Sequence, residues 1–216
     1  MSDRPIIFSA PMIRALLAGR KTQTRRLLKP QPLAGQSAHL YPTAKVDWQL
    51  RNKMGCVISS ERLRYAPGDR LWVREAWCPN ALTCGQTVHY RADGYHVVVD
   101  DGDEFAVINK DGTERSPWRP SIHMPRWASR LTLTVTDVRV QRLQEISEED
   151  AMAEGVEPVL GPSGGSNTPH VEGFRNLWNA THGSYAWATN PWVAAISFSV
   201  ERRNIDAETA DERKQE

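Results

Sequence analysis

Apolar residues recur along the chain in short runs of two periods. Ile6, Ile7 and Phe8 predict a short strand. Ser9 then offers a helix N-cap, Pro11 fits the first turn, and Met12, Ile13, Leu16 and Leu17 recur at helical spacing. Gly19 is the stop. A basic run from Arg20 to Arg26 follows, with Leu27 and Leu28 behind it, and Pro30 and Pro32 end the element. Residues 31–64 show no steady period and read as an elaboration of the fold. Pro67-Gly68-Asp69 is a turn signal, after which Leu71, Val73, Glu75 and Trp77 alternate with Arg70, Trp72, Arg74 and Ala76, the period of a strand. Thr87 to Tyr90 and Phe105 to Ile108 are further short strand candidates.

Arg130 to Val140 predicts the longest strand. Leu131, Leu133 and Val135 share one face, whereas Val138 and Val140 fall on the other parity, so a bulge or bend is expected near Thr136-Asp137. Ser147-Glu148-Glu149-Asp150 is a capping box that opens a short helix closed by Gly155. Residues 157–172 are rich in Pro, Gly and Ser and read as a loop. Phe174, Leu177, Trp178 and Thr181 predict a third helix stopped by Gly183, and Trp192 to Val200 a final strand. From Glu201 onward the chain is charged and reads as a frayed tail. Several short strands with three short helices predict an α+β fold built on a small curved sheet or barrel.

A chain of 216 residues supports one good core. Lys and Arg number 27 against 26 Asp and Glu. That balance excludes a polyanion binder acting through net charge, though not a local basic patch. No apolar run reaches membrane-spanning length, and the first residues carry no signal-peptide pattern, so a cytoplasmic protein without membrane partners is expected. Cys56, Cys78 and Cys84 cannot all pair and are expected as free thiols. Cys78 and Cys84 with His89 and His96 match no standard zinc spacing, so neither a metal nor a cofactor is expected. The eight Trp outnumber five Tyr and four Phe, which suits cores, stacking platforms and interfaces alike.

Three constellations carry candidate chemistry. Lys21, Thr24, Arg25 and Arg26 stand directly after a helix stop. Lys becomes a base when desolvation or neighbouring cations lower its pKa, and a Lys–hydroxyl pair is an alternative to Ser–His. The competing reading is a solvated basic turn. In a regular strand Lys21 and Thr24 point to opposite faces, so joint action requires Lys21 to lie in the turn. The carboxylates are Glu75 and Glu154. Glu75 shares a face with Leu71 and Val73 and is either functional or ion-paired to an Arg. Glu154 ends a short helix, where a negative charge opposes the dipole. The third constellation is residues 117–130, with three prolines, two Trp, three Arg and His123. Its rings and guanidiniums suit nucleobase stacking and phosphate contact, or an ordered loop over a barrel end.

The run Leu17-Ala18-Gly19-Arg20-Lys21-Thr22-Gln23-Thr24-Arg25-Arg26 resembles the signature of the ASCH domain family, which is related to PUA domains. Pro67 to Glu75, Ile146 to Gly155 and Trp192 to Val200 resemble its later blocks in order. The segments 31–64, 93–123 and 157–171 have no counterpart in small members, so the chain resembles the larger phage and prophage type. The resemblance implies a single PUA-like β-barrel domain over residues 1–200, flanked by short helices and followed by a 201–216 tail. Small bacterial relatives are amidohydrolases of N(4)-acetylcytidine, and their Lys, Thr, Glu and Arg align with Lys21, Thr24, Glu154 and Arg26. Arg25 is a departure, since small members can have an apolar residue there.

The resulting expectation is a metal-free amidohydrolase acting on an acylated cytosine base. Lys21 takes the proton of Thr24, Thr24 attacks the acyl carbon, Glu154 protonates the leaving amine, and Glu75 is the competing carboxylate. Arg25 and Arg26 are expected on the substrate side, with Arg26 at the oxyanion. Trp72 or Trp127 is expected to stack on the base, and Arg74, His123 and Arg126 to complete the contacts. The rival expectation is an RNA-binding module with weak ribonuclease activity, and a third is an accessory protein that holds a ligand without catalysis. The ligand is a nucleoside or RNA in either of the first two cases, and the oligomeric state is left open.

Overall fold

The computed structural model describes residues 2–40, 47–79, 88–94, 107–108, 114–115, 118–159 and 167–207. It is a mixed α+β fold in which, among the described residues, the sheets are open. In chain order the elements are β1 (Asp3–Ile7), α1 (Ala10–Leu17), β2 (Gln23–Leu27), β3 (Ser37–Leu40), β4 (Asp47–Arg51), β5 (Val57–Arg62), β6 (Arg70–Arg74), β7 (Trp77–Pro79) and β8 (Val88–Tyr90). They continue as β9 (Val107–Ile108), β10 (Glu114–Arg115), β11 (Thr132–Arg142), α2 (Glu148–Ala153), α3 (Pro169–His182) and β12 (Trp192–Glu201). Among the described residues, no helix is long and apolar enough to cross a membrane.

The chain divides into two compact units. The first comprises residues 1–2, 18–69 and 134–200. Its strand order is β11-β12-β2, with β12 antiparallel to β2 and Ile196 opposite Thr24. Four consecutive positions of β12, Val193 to Ile196, are buried, so both of its faces pack. The apolar core here joins Leu143, Ile146, Ala151, Phe174, Trp178 and Val193. Gly173 in α3 is required by close approach, because a Cβ there falls 2.3 Å from the Glu157 carbonyl oxygen. The second unit comprises residues 3–17, 70–133 and 201–216. In it β1 runs parallel to β6, and Trp77, Met124 and Ala128 form a buried cluster.

Several departures from the sequence reading have physical reasons. Within residues 31–64, β3, β4 and β5 form an antiparallel sheet. Their sequences, such as VISSER, are too short and polar to show a period, and pairing supplies what patterning lacks. The expected strand through Trp77 is broken at Glu75-Ala76 into β6 and β7. In β11 Thr136 and Asp137 are both exposed and Val138 is buried, which is the expected change of parity. Helix α3 begins at Pro169, inside the expected loop, because Glu148 accepts from the Val171 N–H and from both the N–H and ring of His170. The expected tail begins with packed residues: Ile205 is buried, and Asn204 donates to the carbonyls of Arg126, Trp127 and Ser129. Thr87, Phe105 and residues 208–216 lie outside the described residues, as do Cys84 and His96 of the cysteine–histidine group.

Candidate active site

The candidate residues fall into two clusters, one in each unit. In the first, Gly19 adopts φ of 72°, and the chain turns so that Lys21 forms an isolated antiparallel bridge with Glu154. The Thr22 N–H donates to Ala153 O (2.8 Å) and Thr22 O accepts from Phe198 N (2.9 Å), so the segment is fastened on both sides. Ser147 caps α2 by accepting from Asp150 N, and Gly155 follows Glu154 at φ of 77°. These two ends fix where the Glu154 side chain begins.

Lys21 is 0% exposed. Its Nζ donates to Gln23 O (2.7 Å), Glu154 O (2.9 Å) and Glu154 Oε2 (2.8 Å). Three acceptors match the three protons of an ammonium. One of them is a helix C-terminal carbonyl, so Lys21 also offsets the dipole that a carboxylate at this end would worsen. Burial pushes the Lys21 pKa below lysine's ordinary value; the charge and hydrogen bond of Glu154 oppose this, and Arg26 and Arg25 add to it.

Arg25 is buried as well. It donates from Nη1 to Glu154 Oε1 (3.1 Å) and Gln23 Oε1 (2.6 Å), and from Nη2 to Asp150 Oδ2 (2.8 Å). Its guanidinium lies 5.6 Å from the centroid of Phe174. Each oxygen of Glu154 thus has its own cation, Lys21 on one and Arg25 on the other. The departure noted at position 25 is therefore an internal clamp on the acid.

Thr24 and Arg26 have the opposite parity in β2. Thr24 is buried, and its Oγ1 accepts from Arg26 Nη1 (2.8 Å) while donating to no group among the described residues. The hydroxyl is therefore held by Arg26 rather than by Lys21, as the strand period requires. A guanidinium on Oγ1 favours the alkoxide and leaves the hydroxyl proton available. Burial lowers the pKa of Arg26, Glu154 and Tyr65 oppose this, and Arg64 adds to it. Arg26 is partly exposed, whereas Lys21, Thr24, Arg25 and Glu154 are buried.

Gln23, Asp150 and Arg139 were not singled out in the sequence. Gln23 Nε2 donates to Asp150 Oδ1 (3.1 Å) and Ser197 Oγ (3.2 Å), and Arg139 Nη2 donates to both oxygens of Asp150 (2.8 and 3.0 Å). Two signals pointed to them: Gln23 alternates with Lys21 and Arg25, and Asp150 stands one helical turn before Glu154. Burial alone would raise the Asp150 pKa, but hydrogen bonds from Arg139 and Gln23, with the charges of Arg25 and Arg139, bring it below the ordinary value. A depressed folded-state pKa stabilises the fold above the unfolded value of about 3.9, and that contribution is lost as pH falls through the folded value. Denaturant titrations from pH 6 downward are expected to show this loss in the wild type and a flatter acid limb in Asp150→Asn.

The second cluster holds Glu75. Arg130 grips it through Nε to Oε1 (2.9 Å) and Nη2 to Oε2 (3.1 Å), and binds Asp93 through two bonds of 2.7 Å. The Tyr90 ring lies 3.9 Å from the Arg130 guanidinium carbon. Burial pushes the Glu75 pKa up, with Arg130 opposing and Asp93 adding. This is the ion-paired alternative for Glu75, satisfied at both oxygens. Trp72 is buried with Arg74 4.5 Å above its ring. Arg126 binds Asp206 (2.6 Å) and Asp3 (2.5 Å). His123 is exposed in a 3-10 turn, and Trp127 is 56% exposed, its ring edge-on to Trp77 at 6.2 Å.

Lys21, Thr24, Arg25, Arg26 and Glu154 thus belong to one cluster, and Glu75, Trp72, Arg74, His123, Arg126 and Trp127 to the other unit. Chemically the first cluster holds a buried amine–carboxylate pair and, on the opposite parity of the same segment, a hydroxyl held by a guanidinium. No protein-family model, curated protein or solved structure matches the chain.

Proposed function

We propose that the chain is a PUA-like protein of the ASCH type whose Lys21–Thr24–Glu154 cluster hydrolyses the amide of N(4)-acylated cytosine nucleosides or a closely related modified base. The observation that carries this reading is the fully buried Lys21 Nζ, 2.8 Å from Glu154 Oε2, on the segment that also carries the buried Thr24. In a water-poor site a proton passes readily between such partners, because the neutral pair escapes the cost of desolvating two charges.

Lys21 gives its proton to Glu154, leaving a free amine and a carboxylic acid. The amine takes the proton of Thr24 as Oγ1 attacks the acyl carbon, and Arg26 steadies the negative charge that develops. Glu154 protonates the exocyclic nitrogen as the C–N bond breaks, releasing cytidine and leaving an acyl ester on Thr24. Water then cleaves the ester by the same proton relay, returning the carboxylic acid product, the alcohol and the ion pair. Because Lys21 and Thr24 lie on opposite parities of the segment, the relay requires the amine to swing from Gln23 O toward Oγ1 when substrate enters.

The test follows cytidine release by ultraviolet absorbance over a panel of N(4)-acyl cytidines. Turnover of at least one compound is expected, and none across the panel refutes the reading. An RNA-binding module is the second reading, supported by the exposed ring of Trp127 on a turn fastened by Asn204. Its mark is RNA affinity that falls steeply with salt and is lost in Trp127→Ala.

A further inference from the structure

Arg25 is shared between two carboxylates, and unequally. Its Nη2 donates to Asp150 Oδ2 at 2.8 Å, inside the range of about 2.7–2.9 Å usual for a charge-assisted bond. Its Nη1 reaches Glu154 Oε1 only at 3.1 Å and is drawn to Gln23 Oε1 at 2.6 Å. Its Nε is buried and donates to no group among the described residues. An orphaned buried donor costs free energy, so this pose is imposed by the surroundings of the guanidinium rather than by its own best bonding. Asp150 is well placed to impose it. It stands on α2 one turn before Glu154 and is anchored from two strands. Arg139 of β11 donates to both of its oxygens (2.8 and 3.0 Å), and Gln23 of β2 donates to Oδ1 (3.1 Å) while also reaching Ser197 of β12 (3.2 Å). The charged groups facing the Lys21–Glu154 pair are thus Arg25 and Arg26 of β2, the latter with Arg64 and Tyr65 acting on it, and Asp150 of α2 with Arg139 and Asp137 of β11 behind it. Helix α3 sets the Phe174 ring against Arg25, and its His170 is bound to Glu148 of α2.

We propose that Asp150 is a positioning residue of this site: by holding Arg25 it keeps the guanidinium from closing on both oxygens of Glu154, and so leaves Glu154 able to take the proton of Lys21. The catalytic consequence rests on the amidohydrolase reading; the shared arginine stands without it. The proton passes from Lys21 Nζ to Glu154 Oε2, the oxygen that Arg25 leaves alone. A fork closed on both oxygens would compete for Oε2 and favour the ionised acid. An acid held ionised neither relieves Lys21 of its proton nor gives one to the leaving amine. The coupling also reaches the amine directly. Burial is the main cause of the lowered Lys21 pKa, and Arg25 adds to it, so the counter-charge that Asp150 gives Arg25 is felt at Nζ.

The test compares Asp150→Asn with Arg139→Gln in the full chain. Two quantities are read: the pH profile of cytidine release, and the titration of the Lys21 side-chain nitrogen by magnetic resonance. Asp150→Asn frees the fork and removes a negative charge. Its kcat is expected to fall about tenfold with KM held within about twofold. Its alkaline limb, where the pair loses its proton, and its Lys21 titration should both move to lower pH by about one unit. Arg139→Gln leaves Asp150 ionised and removes a cation that competes for it, so both midpoints move the opposite way, to higher pH. A merely structural Asp150 would cost folded protein in both variants and move neither midpoint. Unmoved midpoints in Asp150→Asn, or shifts of the same sign in the two variants, overturn the proposal. If Asp150→Asn does not fold, Arg139→Gln decides alone: an upward shift supports the proposal, and no shift or a downward one overturns it. The two readings fail separately. Opposite shifts of the Lys21 titration without turnover of any N(4)-acyl compound remove the amidohydrolase and keep the coupling. Turnover with unmoved midpoints removes the coupling and keeps the enzyme.

Discussion

Lys21→Met is expected to lower the release of cytidine from N(4)-acylated cytidines by roughly 100- to 10,000-fold, the range that one positioned acid–base group supplies. Met fills most of the volume of the lysine stem and carries no exchangeable proton, so Thr24 loses the group that accepts its proton. The change also removes one partner of a buried ion pair, which by itself costs about 3–5 kcal/mol when the other charge is left uncompensated. Here it is not left so, because Arg25 Nη1 still reaches Glu154 Oε1. The stability loss should therefore sit at or below the low end of that range. Lys21→Arg separates charge from proton transfer: it keeps a cation beside Glu154 but cannot deprotonate near neutral pH, so it restores stability without activity. Rates are compared at equal folded fraction, set from thermal melts. Activity within a few-fold of wild type in Lys21→Met, or rescue by Lys21→Arg, removes Lys21 from the proton relay.

The two clusters differ in how legible they were, and the reason is the distance over which each signal acts. Helix α1, the α2 cap at Ser147 and the change of parity at Thr136-Asp137 follow from a few neighbouring residues, and the sequence carries them openly. The pairing of Lys21 with Glu154 joins residues far apart in the chain; the ASCH resemblance implies both as site residues, while spacing alone places Glu154 only at a helix end, against the dipole. The role of Arg25 was out of reach for a physical reason. A buried arginine is tolerated only where carboxylates converge on it, and which of the 26 acidic residues do so is decided by packing. Glu75 shows the converse. Its alternation with Leu71 and Val73 correctly placed it inward, but inwardness alone does not separate a catalytic acid from one held by an arginine. The strands of residues 37–62 were invisible because each is short and polar enough to exist only through its neighbours.

Glu154→Leu is expected to destabilise the fold by about 3–5 kcal/mol, the cost of leaving buried charge without its partner. The substitution removes the carboxylate that Lys21 faces and strips Arg25 of one of its two carboxylates. For a chain of this size each kcal/mol moves the midpoint by about 2–4 °C, so thermal melts should show a shift of roughly 6–20 °C. Glu75→Leu is the internal comparison. It too removes a buried carboxylate, but Arg130 keeps both bonds to Asp93 and is 23% exposed at its side chain, so water and a second acid absorb the loss. The expected order of destabilisation is therefore Glu154→Leu well above Glu75→Leu. Adding Lys21→Met to Glu154→Leu removes the ammonium that has lost its carboxylate and should recover part of the lost stability, a coupling that the double-mutant cycle reads directly. If the two single losses simply add, or if Glu75→Leu proves the costlier change, the Lys21–Glu154 pair is not the buried, mutually dependent unit from which the proton relay was argued.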